Sequence, residues 1–197
     1  TESSAASDVY KRQLHIGGLE LERPALDAAF TLDLAAAGTI AHHLGAGQPA
    51  LEKVLSGFEP VVHRRTLVGS WDGVGWVNDS KATNPHAAVA AAKAFDSVVL
   101  IAGGRNKGLD LSLLPRVPSV RALVAIGEAA DELEAASEAA VFHRAASIEE
   151  AVAMADEIAQ RGDTVLLAPG CASFDMFDDY QHRGRVFTEL VRRQKET

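Results

Sequence analysis

The chain from residue 61 onward alternates short apolar runs with longer segments whose apolar residues recur at helical spacing. The apolar runs predict strands at 66–70, 75–78, 97–102, 122–126, 140–143 and 164–168. The segments between them predict helices at 85–95, 128–137, 148–160 and 178–194. Asn84-Pro85 and the pair Ser147 and Glu150 are start signals for two of these helices. Buried strands that alternate with helices predict an α/β fold with a mostly parallel sheet and right-handed crossovers.

The turn Trp71-Asp72-Gly73 separates the first two predicted strands and indicates an antiparallel hairpin at one edge of that sheet. The preceding segment differs, because it predicts two helices, at 24–44 and 49–58, after an extended lead-in at 14–21. Two helices and one extended stretch bury too little surface for a core of their own.

These patterns predict three parts of the chain. Residues 60–197 form the complete α/β domain, and residues 14–59 are the helical C-terminal remnant of an incomplete domain. Residues 1–13 are small, polar and then basic, without periodicity, and are interpreted as a non-native or disordered leader.

Composition excludes several classes of function. The net charge is −8, with 27 acidic against 19 basic residues and no basic stripe, so nucleic acid is not an expected partner. No apolar run approaches the ~18 residues of a membrane-spanning helix. The single cysteine, Cys171, excludes an internal disulfide and a multi-cysteine metal site, and a reducing, cytoplasmic setting is expected.

Polar or glycine-rich loops follow four of the predicted strands, at 79–83, 103–108, 127–128 and 169–175. Ligands of open α/β sheets bind at the carboxyl ends of the strands, where such loops meet. Two lysines, an arginine, a threonine and a serine are expected to converge there. This set suits a small substrate with two negative groups.

Each of these features also has a structural interpretation. Gly103-Gly104 could form only a tight turn, since neither a P-loop nor a G-x-G-x-x-G motif occurs in the chain. Cys171 is interpreted as a buried thiol rather than a nucleophile. Arg183 and Arg185 are predicted to be solvated or ion-paired.

Five segments resemble the C-terminal part of Mur ligases, and in particular the members that add D-glutamate. They are HR at 63–64, NDSKATNP at 78–85, AGGRNKG at 102–108, LLAPGCASFDMF at 166–177 and RG at 183–184, in the family's order and spacing. The resemblance implies a Rossmann-like domain that closes on a central domain. It also implies ATP- and Mg²⁺-dependent addition of D-glutamate to UDP-N-acetylmuramoyl-L-alanine through an acyl phosphate, in peptidoglycan precursor synthesis.

The resemblance further implies roles for individual residues. Arg64 would lie near the ATP phosphates, and Asp79 would accept hydrogen bonds from the ribose hydroxyls. The residues implied for D-glutamate are Thr83, Lys107, Ser173, the backbone of Phe174, Lys81 and Tyr180, the last at a position where the family often has Phe.

The family's P-loop, its metal-binding Glu and His and its carbamylated lysine belong to the central domain, and this chain contains none of them. No catalytic residue and no metal ligand is therefore assigned. The chain is expected to be an inactive fragment of a monomeric ligase. Two alternatives stay open: a stand-alone α/β domain that binds a dicarboxylic amino acid or nucleotide, and a fragment of a folylpolyglutamate-type ligase, which the run at 78–85 disfavours.

Overall fold

The computed structural model describes residues 13–24, 28–137 and 141–196. The chain divides into two compact units, Thr1–Glu59 and Pro60–Thr197. Among the described residues, no helix combines the length and apolarity needed to cross a membrane. The predicted leader lies outside the described residues except for Gln13.

The described part of the first unit contains a hairpin and two helices. Its strands are β1 (Gln13–Ile16) and β2 (Leu19–Glu22), and its helices are α1 (Ala28–His43) and α2 (Gln48–Ser56). The two strands are antiparallel, with Gln13 opposite Glu22. Gln13 therefore begins a strand instead of ending the leader, and the predicted extended lead-in is a hairpin.

The first unit also contains a small hydrophobic cluster, which the sequence did not predict. Leu14, Ile16, Leu21, Leu51 and Leu55 are buried against one another. The strands supply three of these residues, because alternate positions of a hairpin face the same side. Other large apolar side chains of this unit remain exposed, including Leu32, Ile40, Leu44 and Val54.

The second unit is built on a six-stranded sheet. Its strands are β3 (Thr66–Trp71), β4 (Val74–Asn78), β5 (Val98–Gly103), β6 (Val120–Ile126), β7 (Val141–Arg144) and β8 (Thr164–Gly170). Their order across the sheet is β3-β4-β8-β5-β6-β7. Only β3 and β4 pair antiparallel, and every other neighbouring pair is parallel. The predicted parallel sheet with an antiparallel edge hairpin is confirmed.

In the described part of this unit, four helices cover the two faces of the sheet: α3 (Pro85–Ala92), α4 (Ala130–Ala136), α5 (Ile148–Ile158) and α6 (Tyr180–Lys195). One face buries a core with residues from α3 and α4, and the other buries a core with residues from α5 and α6. Every residue of β5 is buried. A central strand that is covered on both sides explains its continuous apolar sequence.

In the second unit, the element boundaries differ from the predicted ones by up to three residues. One difference affects the loop that follows β8: this strand continues through Pro169 to Gly170 instead of ending at Ala168. The pairing of β8 with β4 ends at Leu167, and its register with β5 shifts between Ile101 and Gly103. Pro169 is tolerated there because an irregular part of the ladder needs no amide hydrogen from it.

Candidate functional site

Three polar loops meet where the strand order reverses. The chain passes from β4 through α3 to β5, and β8 later inserts between those two strands. We call residues 79–84 the β4 loop, residues 104–108 the β5 loop and residues 171–179 the β8 loop. All three follow the carboxyl ends of parallel neighbours, which is the usual ligand position in open α/β sheets.

Backbone hydrogen bonds join the β8 loop region to both of its neighbours. The amide of Gly170 donates to the carbonyl of Ala82 at 2.8 Å. Arg105 and Ala172 exchange two bonds, of 2.9 and 3.0 Å. These bonds place the segment that contains Ser173 between the loop of Thr83 and the loop of Lys107. The structure therefore brings the predicted D-glutamate loops together at one sheet edge.

The glycine pair at the end of β5 makes this close approach possible. Gly103 and Gly104 have φ angles of 121° and 123°. A Cβ atom on Gly104 would lie 2.3 Å from the carbonyl oxygen of Ala172, and one on Gly103 would lie 2.0 Å from that of Ile126. The pair is thus more than a tight turn, because no larger residue fits between these backbones.

The candidate D-glutamate residues differ in exposure. Lys107 and Phe174 are exposed, whereas Lys81, Thr83 and Tyr180 are partly buried. The Lys81 ammonium lies 5.9 Å from the centre of the Tyr180 ring, which is within cation–π range. Ser173 is only 3% exposed. The donors of the crevice therefore include one exposed cation, Lys107, and one shielded hydroxyl, that of Ser173.

The arginine of the β5 loop has a partner inside the protein. Arg105 makes two hydrogen bonds to the Glu128 carboxylate, at 3.0 and 2.8 Å. The amide of Glu128 in turn donates to Asp175 Oδ2. The loop at 127–128, predicted to line the site, therefore holds Arg105 in an ion pair, and the cations of the crevice are chiefly the two lysines.

The start of α3 is formed as its sequence predicts. Asn84 accepts a hydrogen bond from the amide of Ala87 at 2.9 Å, and Pro85 occupies the first turn. This side-chain cap satisfies an amide that the helix leaves without an internal partner. It fixes the end of the β4 loop directly after Thr83.

The two residues predicted to contact ATP lie on adjoining segments. Asp79 is 5% exposed, and its Oδ1 accepts a hydrogen bond from the amide of Arg65 at 3.3 Å. His63 and Arg65, on either side of Arg64, have positive φ angles of 65° and 50°. Such angles are unfavourable for these residues and indicate a turn that the surroundings hold in place. Asp79 therefore also supports the turn that presents Arg64.

The sequence did not reveal the packing that joins His63, Asn78 and Gly184, which come from three of the segments that resemble Mur ligases. Asn78 is buried, and its Nδ2 donates to the carbonyl of Gly184 at 2.7 Å and lies 3.0 Å from His63 Nδ1. A Cβ atom on Gly184 would lie 2.5 Å from that ring nitrogen. Burial, together with the charge of Arg185, lowers the pKa of His63, although Asp179 opposes this. Gly184 thus lets α6 approach the turn before β3.

The prediction for Arg183 is wrong. This side chain is 1% exposed and hydrogen-bonds to Ser80 and to the carbonyl of Cys171. Burial lowers its pKa to about 10, and Asp175 opposes the effect. The sequence does contain a signal for this burial. Arg183, Phe187 and Val191 are spaced four residues apart, so they lie on the same buried face of α6.

Cys171, the first residue of the β8 loop, is a buried thiol. Desolvation raises its pKa from 9.0 to about 12, so the thiolate is absent at neutral pH. Because the thiolate is the nucleophilic form, Cys171 is suited to packing and not to covalent chemistry.

Comparison with known proteins gives consistent sequence matches. The family description "Mur ligase, glutamate ligase domain" matches residues 63–171, more than half of the chain. The chain is 47% identical over 160 residues to UDP-N-acetylmuramoylalanine–D-glutamate ligase of Chlorobium phaeobacteroides, covering 79% of this chain and 34% of that protein. It is also 47% identical over 163 residues to the ligase of the same name from Frankia casuarinae, covering 80% and 35% respectively. The chain thus spans about a third of the length of these relatives.

Solved structures share the fold at lower identity. UDP-N-acetylmuramate–alanine ligase of Thermotoga maritima superposes with a TM-score of 0.64 at 13% identity, covering 91% of this chain and 41% of that one. A bifunctional folylpolyglutamate synthase/dihydrofolate synthase of Yersinia pestis gives 0.61 at 18% identity, covering 89% and 43%. These similarities establish the fold alone, whereas the high-identity relatives are named as D-glutamate ligases.

Proposed function

Because the chain belongs to the Mur ligase family, within its glutamate ligase domain, we propose that it binds the amino-acid substrate of an ATP-dependent D-glutamate ligase. The reaction would add D-glutamate to UDP-N-acetylmuramoyl-L-alanine during peptidoglycan precursor synthesis in the cytoplasm. One observation carries the proposal: the loops that contain Thr83, Lys107 and Ser173 are hydrogen-bonded into one crevice at the switch point of the sheet.

The crevice has donors that suit the two carboxylates of D-glutamate. The exposed ammonium of Lys107 and the hydroxyl of Thr83 approach from the β5 and β4 loops, while Ser173 and the amide of Phe174 belong to the β8 loop between them. Hydrogen bonds from a charged donor to a carboxylate are shorter and stronger than neutral ones. Two separated carboxylates bound in this way would orient the amine of the substrate, with Lys81 and Tyr180 at the side of the crevice.

ATP would be bound at the adjoining edge by Arg64 and Asp79, and it would supply the phosphoryl group that activates the acceptor carboxylate. Ribose hydroxyls can donate to a carboxylate, and a guanidinium suits phosphate oxygens. The turn of residues 63–65 fits this use because Asp79 holds it against the β4 loop.

Magnesium has no protein-held site among the residues that the structure describes. Among the described residues, no group of three His, Cys, Asp or Glu side chains could hold a metal ion. We propose that the metal ligands and the catalytic groups lie in a central ATP-binding domain, to which residues 14–59 belong. The chain alone would then bind ligands without turnover, and the whole ligase would act as a monomer.

Substitutions in the whole ligase test this division of roles. Lys107→Ala and Thr83→Ala each remove a donor to a carboxylate, worth roughly 1.5–3 kcal/mol when one partner is charged. The KM for D-glutamate should rise about 10- to 100-fold, while the KM for ATP changes little. Asp79→Ala should act mainly on ATP, and Lys93→Ala, an exposed lysine beyond α3, is the control. Equal shifts for both substrates in all three site variants would contradict the proposal.

A further inference from the structure

Arg183 is a buried cation whose partners are mainly backbone atoms. Its Nε donates to Ser80 Oγ at 3.0 Å and its Nη2 donates to the Ser80 carbonyl at 2.9 Å. The carbonyl of Cys171 accepts from both terminal nitrogens, at 3.4 and 3.3 Å. In the described part of the chain, no carboxylate lies within ion-pair distance of this guanidinium.

A buried charge without a counter-ion is unfavourable for folding, so packing alone does not explain an arginine here. An apolar side chain of similar volume would fill the space, but it would leave the carbonyls of Ser80 and Cys171 without this donor. The guanidinium is planar and carries five donors in a fixed fork, which lets one side chain bind acceptors on two separate loops.

The two loops that Arg183 joins are the β4 loop and the β8 loop. Ser80 lies three residues before Thr83, and Cys171 lies two residues before Ser173. Short-range contacts connect these positions: the amide of Thr83 donates to the carbonyl of Lys81, next to Ser80, and Ala172, between Cys171 and Ser173, is bound on both sides to Arg105. Because of these short-range bonds, the positions of Thr83 and Ser173 depend on the positions of Ser80 and Cys171.

We propose that Arg183 is a positioning residue of the amino-acid site, which sets the separation between Thr83 and Ser173 by holding the β4 and β8 loops. The inference rests on the proposed function for the identity of the ligand, but the loop contacts stand without it. Helix α6 provides the rigid support, because Ser80 Oγ also donates to the carbonyl of Tyr180, at the start of the same helix.

The test uses Arg183→Met and Arg183→Lys in the chain itself, with Arg121→Met as a matched control. Arg121 is partly buried and, like Arg183, donates to a backbone carbonyl, that of Ile158, but it pairs with Asp163 before the start of β8, away from the three loops. Amide hydrogen exchange of Lys81, Thr83 and Ala172 reports on the loops. Titration with D-glutamate, followed by NMR, reports on the site.

Arg183→Met should increase exchange of the three loop amides at least tenfold relative to strand amides of β5, and should weaken D-glutamate binding at least tenfold. Arg183→Lys should cause smaller changes in loop amide exchange and in D-glutamate affinity than Arg183→Met, because lysine keeps the charge but lacks the forked donors of arginine. Arg121→Met should change neither the exchange of the loop amides relative to β5 nor the affinity for D-glutamate. If Arg183→Met does not fold, the lysine variant alone should show the smaller, local change.

Loop amides that exchange as in the wild type, or only in step with the β5 amides, would overturn the proposal. Unchanged D-glutamate affinity in a variant with loosened loops would also overturn it. A wild-type chain that binds no D-glutamate, together with loops that loosen in Arg183→Met, would instead contradict the proposed function and leave the loop contacts of Arg183 supported.

Discussion

Gly104→Ala tests whether the close approach of the β5 and β8 loops is a physical requirement of the site. The added methyl group would lie 2.3 Å from the carbonyl oxygen of Ala172 and 3.3 Å from the Cβ atom of Cys171. The oxygen cannot move away freely, because it accepts the hydrogen bond from the amide of Arg105. The substitution should therefore separate the two loops or strain both.

The magnitude follows from two terms. A φ of 123° is strained for any residue with a side chain, which costs about 1–3 kcal/mol. Forcing an extra methyl group into a packed site costs about 1–3 kcal/mol more. Gly108→Ala is the matched control in the same loop, since its φ is 76° but its Cβ would meet nothing within 4 Å. The control should lose only about 1–2 kcal/mol.

Urea unfolding followed by tryptophan fluorescence measures the free energy of unfolding of the second unit, which contains both loops. The chain has two tryptophans, Trp71 and Trp76, and both belong to the second unit. Gly104→Ala should lower the free energy of unfolding by about 2–6 kcal/mol, clearly more than Gly108→Ala. If the two variants lose the same stability, the clash with Ala172 is not real and the geometry inferred for the crevice is wrong.

Two further predictions concern groups beneath the loops. Asn78→Ala removes the hydrogen bonds to Gly184 and from the amide of Ser80 and should cost about 2–4 kcal/mol, as measured by the same urea titration; a loss below 1 kcal/mol would contradict its scaffold role. Between pH 9 and about 12 the Cys171 thiol should ionise in the unfolded chain but not in the folded one, so wild-type stability falls as the pH rises. The stability difference between wild type and Cys171→Ala should change across that interval in this direction, and a difference independent of pH would show that the thiol is not shielded.

The parts of the fold that depend on local pattern were predictable. Continuous apolar runs identify β5 and β8 because both faces of a central strand are covered. The caps at Asn84 and Ser147 are formed, since each needs only its own side chain and an amide three residues later. The convergence of the loops follows from parallel topology once the strands are known.

Features that depend on tertiary partners were not predictable from the residues alone. An arginine in a helix is usually solvated, and only the carbonyls of Ser80 and Cys171, distant in sequence, explain the burial of Arg183. The continuation of β8 through Pro169 depends on an irregular register with β5, which no local signal reveals. The pairing of Arg105 with Glu128 likewise depends on where the following strand ends.

Titration of the isotopically labelled chain with D-glutamate shows whether the crevice formed by the three loops binds the amino-acid substrate. We expect saturable chemical-shift changes of the amides of Thr83, Lys107, Ser173 and Phe174. Lys107→Ala should weaken the affinity at least tenfold, because it removes a charge-assisted hydrogen bond. L-Glutamate at the same concentrations should produce smaller shifts, because a site that binds both carboxylates directs the amine of the other enantiomer elsewhere. Absence of shifts at these residues, or shifts that Lys107→Ala leaves unchanged, would contradict the assignment of this crevice to the amino-acid substrate.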